Sequence, residues 1–387
     1  MRRSKLVINC QPGISPVLKN EIESLGYRVL SVDNTGVSME GGWEEVMDLN
    51  FNLRTASRVL WTIRSFEAKN PNELYAEAKK TPWNKLIPKD GFISIHSFVK
   101  NDYIRDTSFA NLKLKDAIVD QMTETTGDRP NSGKEKDKTV IFMFWYESKC
   151  TIYFDTSGET IAKHGYRKMP FKAPMMESLA AACVRSSVWK PGKDHFINPM
   201  CGSGTLAIEA ALLATNRPPG LLRDNYGFMH IDGYDPEVWK AQKSKLRINS
   251  KIDGKIIASD LSGLAVNAAI ENAKNADVSD LIEFEKAPFE KTNIPEGSGI
   301  VMINPEYGDR LGEIEELEKI YEQLGDFFKQ KCQGKMGYIF TGNSNLAKRI
   351  GLRTKSKTQF FNARIECRLL EYELYGGSRK AEGNHKT

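Results

Sequence analysis

The hydrophobic positions between residues 190 and 345 fall into short apolar runs separated by longer segments with helical spacing. The pattern predicts strands at 195–198, 255–259, 282–286, 299–303 and 336–341, and helices at 204–215, 262–275 and 313–331. Strands that alternate with helices are typical of right-handed βαβ crossovers and of a parallel sheet covered on both faces. Two β-rich runs between 357 and 375 meet near Asn362 and predict a hairpin that closes the sheet edge.

The amino-terminal part of the chain shows a mixed α+β pattern. Strands are predicted at 5–10, 27–39, 59–66, 92–99, 139–146 and 150–155, and helices at 14–26, from about 43, at 72–80 and at 109–124. The polar stretch 127–138 contains glycine, proline and several lysines, and it predicts a solvated turn. These changes of pattern indicate a small α+β unit, a second α+β module that ends near residue 160, and a differently organised part beyond residue 161, with 379–387 expected to form a tail.

The charge balance permits an anionic partner without identifying one. The 387 residues carry a net charge of +5, with an isoelectric point of about 8.7. Acidic and basic residues balance over 1–160, so the whole excess lies in the rest of the chain. The windows 163–190 and 348–368 are locally basic; either could contact phosphates or form only a solvated charged face.

Composition also bears on metal sites, disulfides and membranes. The six cysteines are widely spaced and form no CxxC pair, so we expect neither a zinc site nor a disulfide framework. No apolar run approaches the ~20 residues that a membrane span requires, and the mean hydropathy is −0.46. Because the charged first residues lead directly into a strand, we expect a cytoplasmic protein with no membrane partner. The cysteine spacing leads us to expect no metal.

The most distinctive local motif is a glycine turn between a strand and a helix. Phe196 to Pro199 form an apolar strand end, and Gly202 and Gly204 precede the next helix. Such a turn lets the backbone approach a ligand closely and directs free helix N–H groups toward it. The alternative is a tight connection without a ligand.

A carboxylate follows the next strand. Asp260 ends the run 255–259, and an acidic residue at this position can accept hydrogen bonds from both ribose hydroxyls of an adenosine. From its position alone, Asp260 could equally be the N-cap of helix 262–275.

The third motif places an amide, a proline and an aromatic ring after strand 299–303. If Asn304 Oδ1 and the Pro305 carbonyl accept the two hydrogens of an exocyclic base amine, they direct its nitrogen lone pair toward a methyl sulfonium. Tyr307 can then stack on a base that has left its helix. The alternative is a strand-terminal turn with no chemical role.

Together these motifs resemble those of class I methyltransferases that modify amino groups of bases. The resemblance is carried by NPMCGSGT at 198–205, Asp260 and NPEYGDRL at 304–311. Three further stretches, 52–58, 164–168 and 173–182, are similar to bacterial THUMP-domain rRNA guanine-N2 methyltransferases, a family often labelled N6-adenine-specific DNA methylases. The likeness covers nearly the whole chain.

The resemblance implies a Rossmann-like α/β domain with a mixed sheet and a terminal antiparallel hairpin. It implies a ferredoxin-like subdomain at 1–65, a THUMP RNA-binding domain at 66–160 and a methyltransferase domain at 161–378. The implied cofactor is S-adenosylmethionine, and the implied partner is RNA, in particular large-subunit rRNA. The cofactor-binding residues would be Ala173, Pro174, Asn198, Pro199, Met200, Cys201, Gly202, Ser203, Gly204, Thr205, Asp260, Leu261 and Asn304. The catalytic residues would be Asn304, Pro305 and Tyr307, and the substrate-binding residues would be Glu306, Tyr307 and Arg310.

Two positions depart from the family pattern. Glu306 replaces the second proline of the usual Asn-Pro-Pro-Tyr, and Pro288 stands where an acidic residue facing the adenine amine is usual. Glu306 either rests in solvent or accepts the N1–H of guanine, which would favour guanine over adenine.

The preferred hypothesis is direct methyl transfer to guanine N2 of 23S rRNA. Adenine-N6 methylation of DNA or RNA uses the same amine geometry and remains an alternative. A non-catalytic RNA-binding or ribosome assembly factor that retains the fold is a second alternative from a different class.

Overall fold

The chain divides into two compact units. In the computed structural model, the described residues are 3–89, 91–172, 174–308 and 314–375. The first unit comprises Met1–Gly165 and Arg217–Ile248, and the second comprises Tyr166–Asn216 and Asn249–Thr387. The segment 217–248 therefore interrupts the second unit in sequence while it packs as part of the first.

Among its described residues, the first unit combines eight strands with several helices. Up to residue 165 these are β1 (Ser4–Asn9), α1 (Ser15–Ser24), β2 (Ser31–Asp33), β3 (Gly36–Gly41), α2 (Trp43–Asn52), β4 (Arg58–Glu67), α3 (Pro71–Lys79), β5 (Phe92–Lys100), α4 (Thr107–Thr126), β6 (Asn131–Gly133), β7 (Thr139–Tyr146) and β8 (Lys149–Asp155). They form one eight-stranded sheet in the order β2-β3-β1-β4-β8-β7-β5-β6, in which only β5 pairs in parallel, with β6 and β7.

Two predictions for this unit were wrong in detail. The stretch 27–39 is not one strand, because Asp33 Oδ1 accepts the backbone N–H of Thr35 at 2.8 Å and the turn reverses the chain between β2 and β3. The predicted solvated turn 127–138 contains β6, which pairs with β5 although its side chains are exposed.

Local sequence explains where α3 and α4 begin and end. Asn70 caps α3 by accepting N–H groups of its first turn, and Pro71 follows at a position where no donor is lost. Asp106 caps α4 in the same way, and Gly127 ends it with φ of +77°.

Arg64 on β4 donates to Glu77 on α3 at 2.9 Å, so these helices lie over the sheet face that carries Arg64.

The second unit contains the remaining elements apart from α7. From residue 166 onward the chain forms α5 (Glu177–Arg185), β9 (His195–Pro199), α6 (Thr205–Ala214), α7 (Pro236–Ser244), β10 (Ile256–Asp260), α8 (Gly263–Asn275), β11 (Ile282–Lys286), β12 (Gly299–Ile303), α9 (Ile314–Lys331), β13 (Met336–Thr341), α10 (Ser344–Arg349), β14 (Ser356–Asn362) and β15 (Ile365–Glu373).

The sheet of the second unit is mixed. Its order is β11-β10-β9-β12-β13-β15-β14; the first five strands are parallel, and β15 and β14 form an antiparallel hairpin at the edge. The predicted strands and helices of this half, the hairpin and the fold class are confirmed. Buried apolar residues of the sheet and α9, among them Val301, Tyr321 and Phe328, pack together in one cluster.

The described part of the chain has neither a membrane-spanning helix nor a metal-binding cluster. None of its helices combines the length and the apolar character needed to cross a membrane. Within the same residues no group of three or more His, Cys, Asp or Glu side chains could hold a metal ion.

Candidate functional site

Three neighbouring strands of the second unit, β10, β9 and β12, end at the same level of the sheet. The register pairs Ser259 of β10 with Pro199 of β9, and Val301 of β12 with Ile197 of β9. Asn198 Nδ2 donates to the Met302 carbonyl at 2.9 Å and links β9 to β12. Because parallel strands lie about 4.8 Å apart, the residues that follow these three strands share one edge of the sheet.

The glycine turn after β9 has a backbone that few other sequences could adopt. Met200, Gly202 and Gly204 have φ values of +55°, +54° and +83°. The Cys201 N–H donates to the Ser259 carbonyl at 2.9 Å, and the Gly202 N–H donates to Asp260 Oδ2 at 2.9 Å. The turn is therefore held against the end of β10 by one backbone hydrogen bond and by one to the Asp260 carboxylate.

The two glycines of the turn have different surroundings. A Cβ at Gly204 would lie 2.8 Å from the Ala269 Cβ on α8, so Gly204 allows α6 and α8 to approach each other. A Cβ at Gly202 would meet no described protein atom within 4 Å. Gly202 thus borders open space, while Gly204 is enclosed by protein.

The different surroundings of Gly204 and Gly202 predict different effects of an alanine substitution at each position. Gly204→Ala should lower the free energy of unfolding by about 3 kcal/mol, because it adds a steric clash to a left-handed residue. Gly202→Ala should cost only about 1 kcal/mol of stability but should weaken S-adenosylmethionine binding at least about tenfold, because its methyl group occupies the ligand's space. Urea denaturation and calorimetric titration measure the two effects; equal stability losses with unchanged cofactor affinity would contradict this assignment.

Asp260 supports the turn and is not a helix cap. Its Oδ1 accepts the Ser262 N–H at 2.9 Å, and Ser262 itself caps α8 by accepting the N–H of Ala265. The N-cap alternative for Asp260 is therefore wrong. Each carboxylate oxygen has more than one acceptor site, so Asp260 can still accept ribose hydroxyls. Leu261, next in sequence, is 71% exposed.

Residues upstream of the turn form a network that the sequence did not reveal. Arg167 Nη2 donates to Thr205 Oγ1 at 3.0 Å, and Arg167 Nη1 lies 3.5 Å from Glu177 Oε2. Asn272 on α8 accepts the N–H groups of Lys168 and Met169 and donates to the Ser203 carbonyl at 3.2 Å.

The upstream network therefore fixes the start of α6 and the glycine turn. Its only sequence signal is a polar residue, Asn272, among the alanines on the buried face of α8. Pro174 is half-buried nearby in sequence, and Ala173 lies outside the described residues.

Asn304 carries a buried acceptor without a described partner. Its Oδ1 is shielded from solvent and has no hydrogen-bond partner among the described residues, as is also true of Asn198 Oδ1. An unsatisfied buried polar atom costs about 1–3 kcal/mol, so the arrangement is suited to a ligand that brings its own donors. Pro305 is buried and fixes the direction of the chain after β12.

Tyr307 is held in place by the edge hairpin. Asn362 at the end of β14 donates to Tyr307 Oη at 2.9 Å, and Cys367 Sγ on β15 lies 3.7 Å from the same oxygen. The ring packs edge-on against Phe340 of β13. Burial raises the pKa of the Tyr307 phenol well above its usual range, so the hydroxyl stays protonated and the ring presents a neutral surface.

The structure describes only part of the remaining residues that were predicted to bind substrate. Glu306 is exposed and pairs with Lys172 across 2.9 Å. Arg310 lies outside the described residues. Pro288, the second departure, follows Ala287, whose N–H donates to the Asp260 carbonyl at 3.0 Å.

Cys201 lies in the turn but lacks the character of a nucleophile. It is buried, and burial raises the pKa of its thiol far above the usual value, with the charge of Asp260 adding to the effect. The six cysteines are all buried free thiols. Cys201 is therefore not expected to act as the nucleophile of a transfer reaction at this edge.

The site fits the cofactor implied by the sequence. Gly202 leaves space beside the backbone, Asp260 offers carboxylate oxygens, and Asn198 Oδ1 on β9 lacks a donor in the described chain. A nucleoside with an amino-acid tail supplies both hydroxyl and ammonium donors. The donor set and the shape of the turn thus match S-adenosylmethionine.

Comparison with known families decides the classification. Residues 164–371, more than half of the chain, match the RMKL-like methyltransferase domain. The chain belongs to the RMKL-like methyltransferase family. The same comparison matches residues 5–60 to the RlmL ferredoxin-like domain and residues 68–155 to the THUMP domain. The family predicted from the sequence is confirmed.

Relatives of this methyltransferase chain span different lengths. It is 30% identical to a putative RNA methyltransferase, slr0064, of Synechocystis, over 94% of this chain and 95% of the relative. It is 32% identical to the ribosomal RNA large subunit methyltransferase K/L of Syntrophotalea carbinolica, over 96% of this chain and 53% of the relative. The chain thus spans about half the length of the K/L relatives.

The fold of the methyltransferase chain also recurs in a solved structure. SMU.472, a putative methyltransferase crystallised with S-adenosylhomocysteine, aligns with a TM-score of 0.86 at 24% identity, covering 98% of this chain and 100% of SMU.472. At this identity the likeness establishes the fold.

Proposed function

We propose that the chain methylates the exocyclic N2 amine of a guanine in large-subunit ribosomal RNA. The observation that carries the proposal is the buried Asn304 Oδ1, which has no donor among the described residues and follows β12 at the same sheet edge as Asp260. A base amine brings the missing N–H donors. The methyl donor is S-adenosylmethionine, which when bound supplies an electrophilic methyl group.

The chain's own residues position the reacting amine. Asn304 Oδ1 and the Pro305 carbonyl each accept one N–H, which draws the nitrogen out of conjugation and directs its lone pair. Tyr307, held by Asn362, stacks on the base after it has left its helix. Asp260 and the turn at Gly202 hold the adenosine and methionine parts of the donor. No covalent intermediate with the protein is needed.

Large-subunit rRNA is proposed from the printed names of the K/L relatives. Within this proposal, 66–160 acts as the THUMP domain that binds RNA, with 1–65 as its ferredoxin-like neighbour, while 161–378 carries out the transfer. The preference for guanine rests on Glu306, whose carboxylate can accept the N1–H that guanine has and adenine lacks.

Tritium transfer tests the proposed reaction. The protein is incubated with tritiated S-adenosylmethionine and unmodified 23S rRNA, duplex DNA or single-stranded DNA, and the products are digested to nucleosides. We expect N2-methylguanosine from rRNA alone. N6-methyladenosine would identify the adenine alternative, and RNA binding without transfer or cofactor binding would identify an assembly factor.

The role of Glu306 has its own prediction. Glu306→Ala should reduce kcat/KM on guanine-containing RNA by about tenfold while changing weak activity on adenine little, because one base-edge hydrogen bond is worth about 1–3 kcal/mol. Lys172→Ala is the matched control, since it removes the ion pair but leaves the carboxylate. If both variants reduce the guanine rate equally, the ion pair matters rather than base recognition.

A further inference from the structure

The eight-stranded sheet of the first unit has an open face rich in exposed aromatic rings. Phe98 on β5 and Phe144 and Tyr146 on β7 are 48%, 40% and 41% exposed. These exposures are high for large apolar side chains in the middle of a sheet, where such residues normally lie beneath another layer. The exposed rings therefore indicate a surface that binds a partner.

The strand register places these rings in two neighbouring rows. Phe98 pairs directly with Phe144, and Lys100 pairs with Tyr146, which in turn pairs with Lys149 on β8. We define these five residues as the aromatic face. The helices α3 and α4 lie on the opposite side, which carries Arg64, and the three rings of the aromatic face remain 40–48% exposed.

Ring geometry suits the stacking of planar groups. Phe98 and Phe144 are nearly parallel, with centroids 5.2 Å apart and an interplanar angle of 10°. A third ring, Phe142, continues the surface along β7, and its centroid lies 6.0 Å from the ring centroid of Tyr153. Parallel rings at this distance stack on each other with an offset, and their exposed outer faces can extend the stack to unpaired bases.

Positive charge flanks the rings. Lys100 Nζ lies 5.8 Å from the Tyr146 ring centroid, and Lys149 follows on the next strand in the same row. Lysines on both sides of an aromatic ring can contact the phosphates that join stacked bases. An apolar protein partner gains nothing from this charge, whereas a nucleic acid strand does.

We propose that the aromatic face binds a single-stranded segment of the RNA substrate, with bases on Phe98, Phe144 and Tyr146 and phosphates on Lys100 and Lys149. The inference rests on the proposed function in taking RNA as the substrate. It goes further in locating a binding surface on the first unit, separate from the site at Asn304. The surface selects unpaired over paired RNA, because duplex bases are not available for stacking.

Fluorescence anisotropy tests the proposal with the full chain and a short labelled oligouridine, without cofactor. The double variant Phe98→Ala/Phe144→Ala should bind at least about fivefold more weakly, with an unchanged salt dependence, because stacking is worth ~1–3 kcal/mol per base. Lys100→Ala should reduce the slope of log affinity against log salt by about 0.7. A duplex of the same length should bind more weakly than the single strand.

Two further variants keep the result interpretable. Phe98→Leu/Phe144→Leu preserves apolar bulk, so it should fold normally and still lose affinity. Phe109→Ala removes a similarly exposed ring from α4, in the helical layer, and should bind like the wild type.

The outcomes separate this proposal from the proposed function. Wild-type affinity in both double variants, or no binding of single strands by the wild type, overturns the aromatic face even if rRNA is methylated. If the leucine variant binds normally and only self-association changes with the alanine variant, the face is a protein contact instead. Failure of methyl transfer to rRNA with intact, Phe98-dependent RNA binding overturns the proposed reaction alone.

Discussion

Replacing Asn304 with alanine should lower kcat for guanine methylation by about 10²–10³-fold, the loss typical when one preorganised polar group at a reaction centre is removed. Asn304 Oδ1 has no partner in the described chain, so its hydrogen bond forms only with the ligand. Because the substitution removes an unsatisfied buried acceptor that itself costs about 1–3 kcal/mol, the free energy of unfolding should not fall and should rise by up to about 3 kcal/mol. Single-turnover kinetics with saturating S-adenosylmethionine and rRNA measure the effect.

The control for Asn304→Ala is cofactor affinity. The turn at Gly202 and the Asp260 carboxylate remain intact in this variant, so the dissociation constant of S-adenosylmethionine should change by less than about tenfold. A large loss of cofactor affinity with an unchanged single-turnover rate would assign Asn304 to the cofactor rather than to the amine.

Replacing Asp260 with alanine should weaken S-adenosylmethionine binding by about a hundredfold or more. Hydrogen bonds to a charged acceptor contribute about 1.5–3 kcal/mol each, and the substitution also removes the acceptor that holds the Gly202 N–H. The Ser262 N–H loses its acceptor too, so stability should fall by about 1–2 kcal/mol. Isothermal titration calorimetry and thermal unfolding measure the two quantities.

Asp260→Asn is the matched variant. The amide keeps one acceptor oxygen, so the glycine turn can persist while the charge is lost, and we expect an intermediate affinity. If Asp260→Ala binds the cofactor as tightly as the wild type, Asp260 only supports the turn and the ribose lies elsewhere.

The sequence predicted the second unit closely because its central strands, β9, β10, β12 and β13, are buried on both faces. The apolar runs 299–303 and 336–341 match β12 and β13 residue for residue. The carboxyl ends of parallel strands meet at one edge, so the glycine turn, Asp260 and Asn304 could be predicted to lie near one another. The structure supplies their level register.

The supporting contacts could not be predicted, because they join residues distant in sequence. Tyr307 receives its hydrogen bond from Asn362 on the hairpin, and Asn272 binds the backbone of Lys168 and Ser203. No local spacing marks such pairs. The role of Ser262 as N-cap was missed because Asp260 is an equally good capping residue by type, and only the backbone decides between them.

The first unit was harder to predict because several of its strands are partly exposed, and two of them, β2 and β6, have only three residues. A turn at Asp33 splits the stretch 27–39, and β6 is stabilised by pairing with β5 rather than by apolar residues. The segment 217–248 follows α6 in sequence yet packs with the first unit. Packing of this kind depends on tertiary contacts that hydrophobic periodicity does not encode.

Mass spectrometry of ribosomal RNA from a strain lacking this chain tests the central claim most directly. The account predicts that one N2-methylguanosine of 23S rRNA disappears, returns when the wild-type chain is expressed, and stays absent when the Asn304→Ala variant is expressed at the same level. Unchanged methylation of 23S rRNA in the deletion strain, or full restoration by Asn304→Ala, would contradict the account.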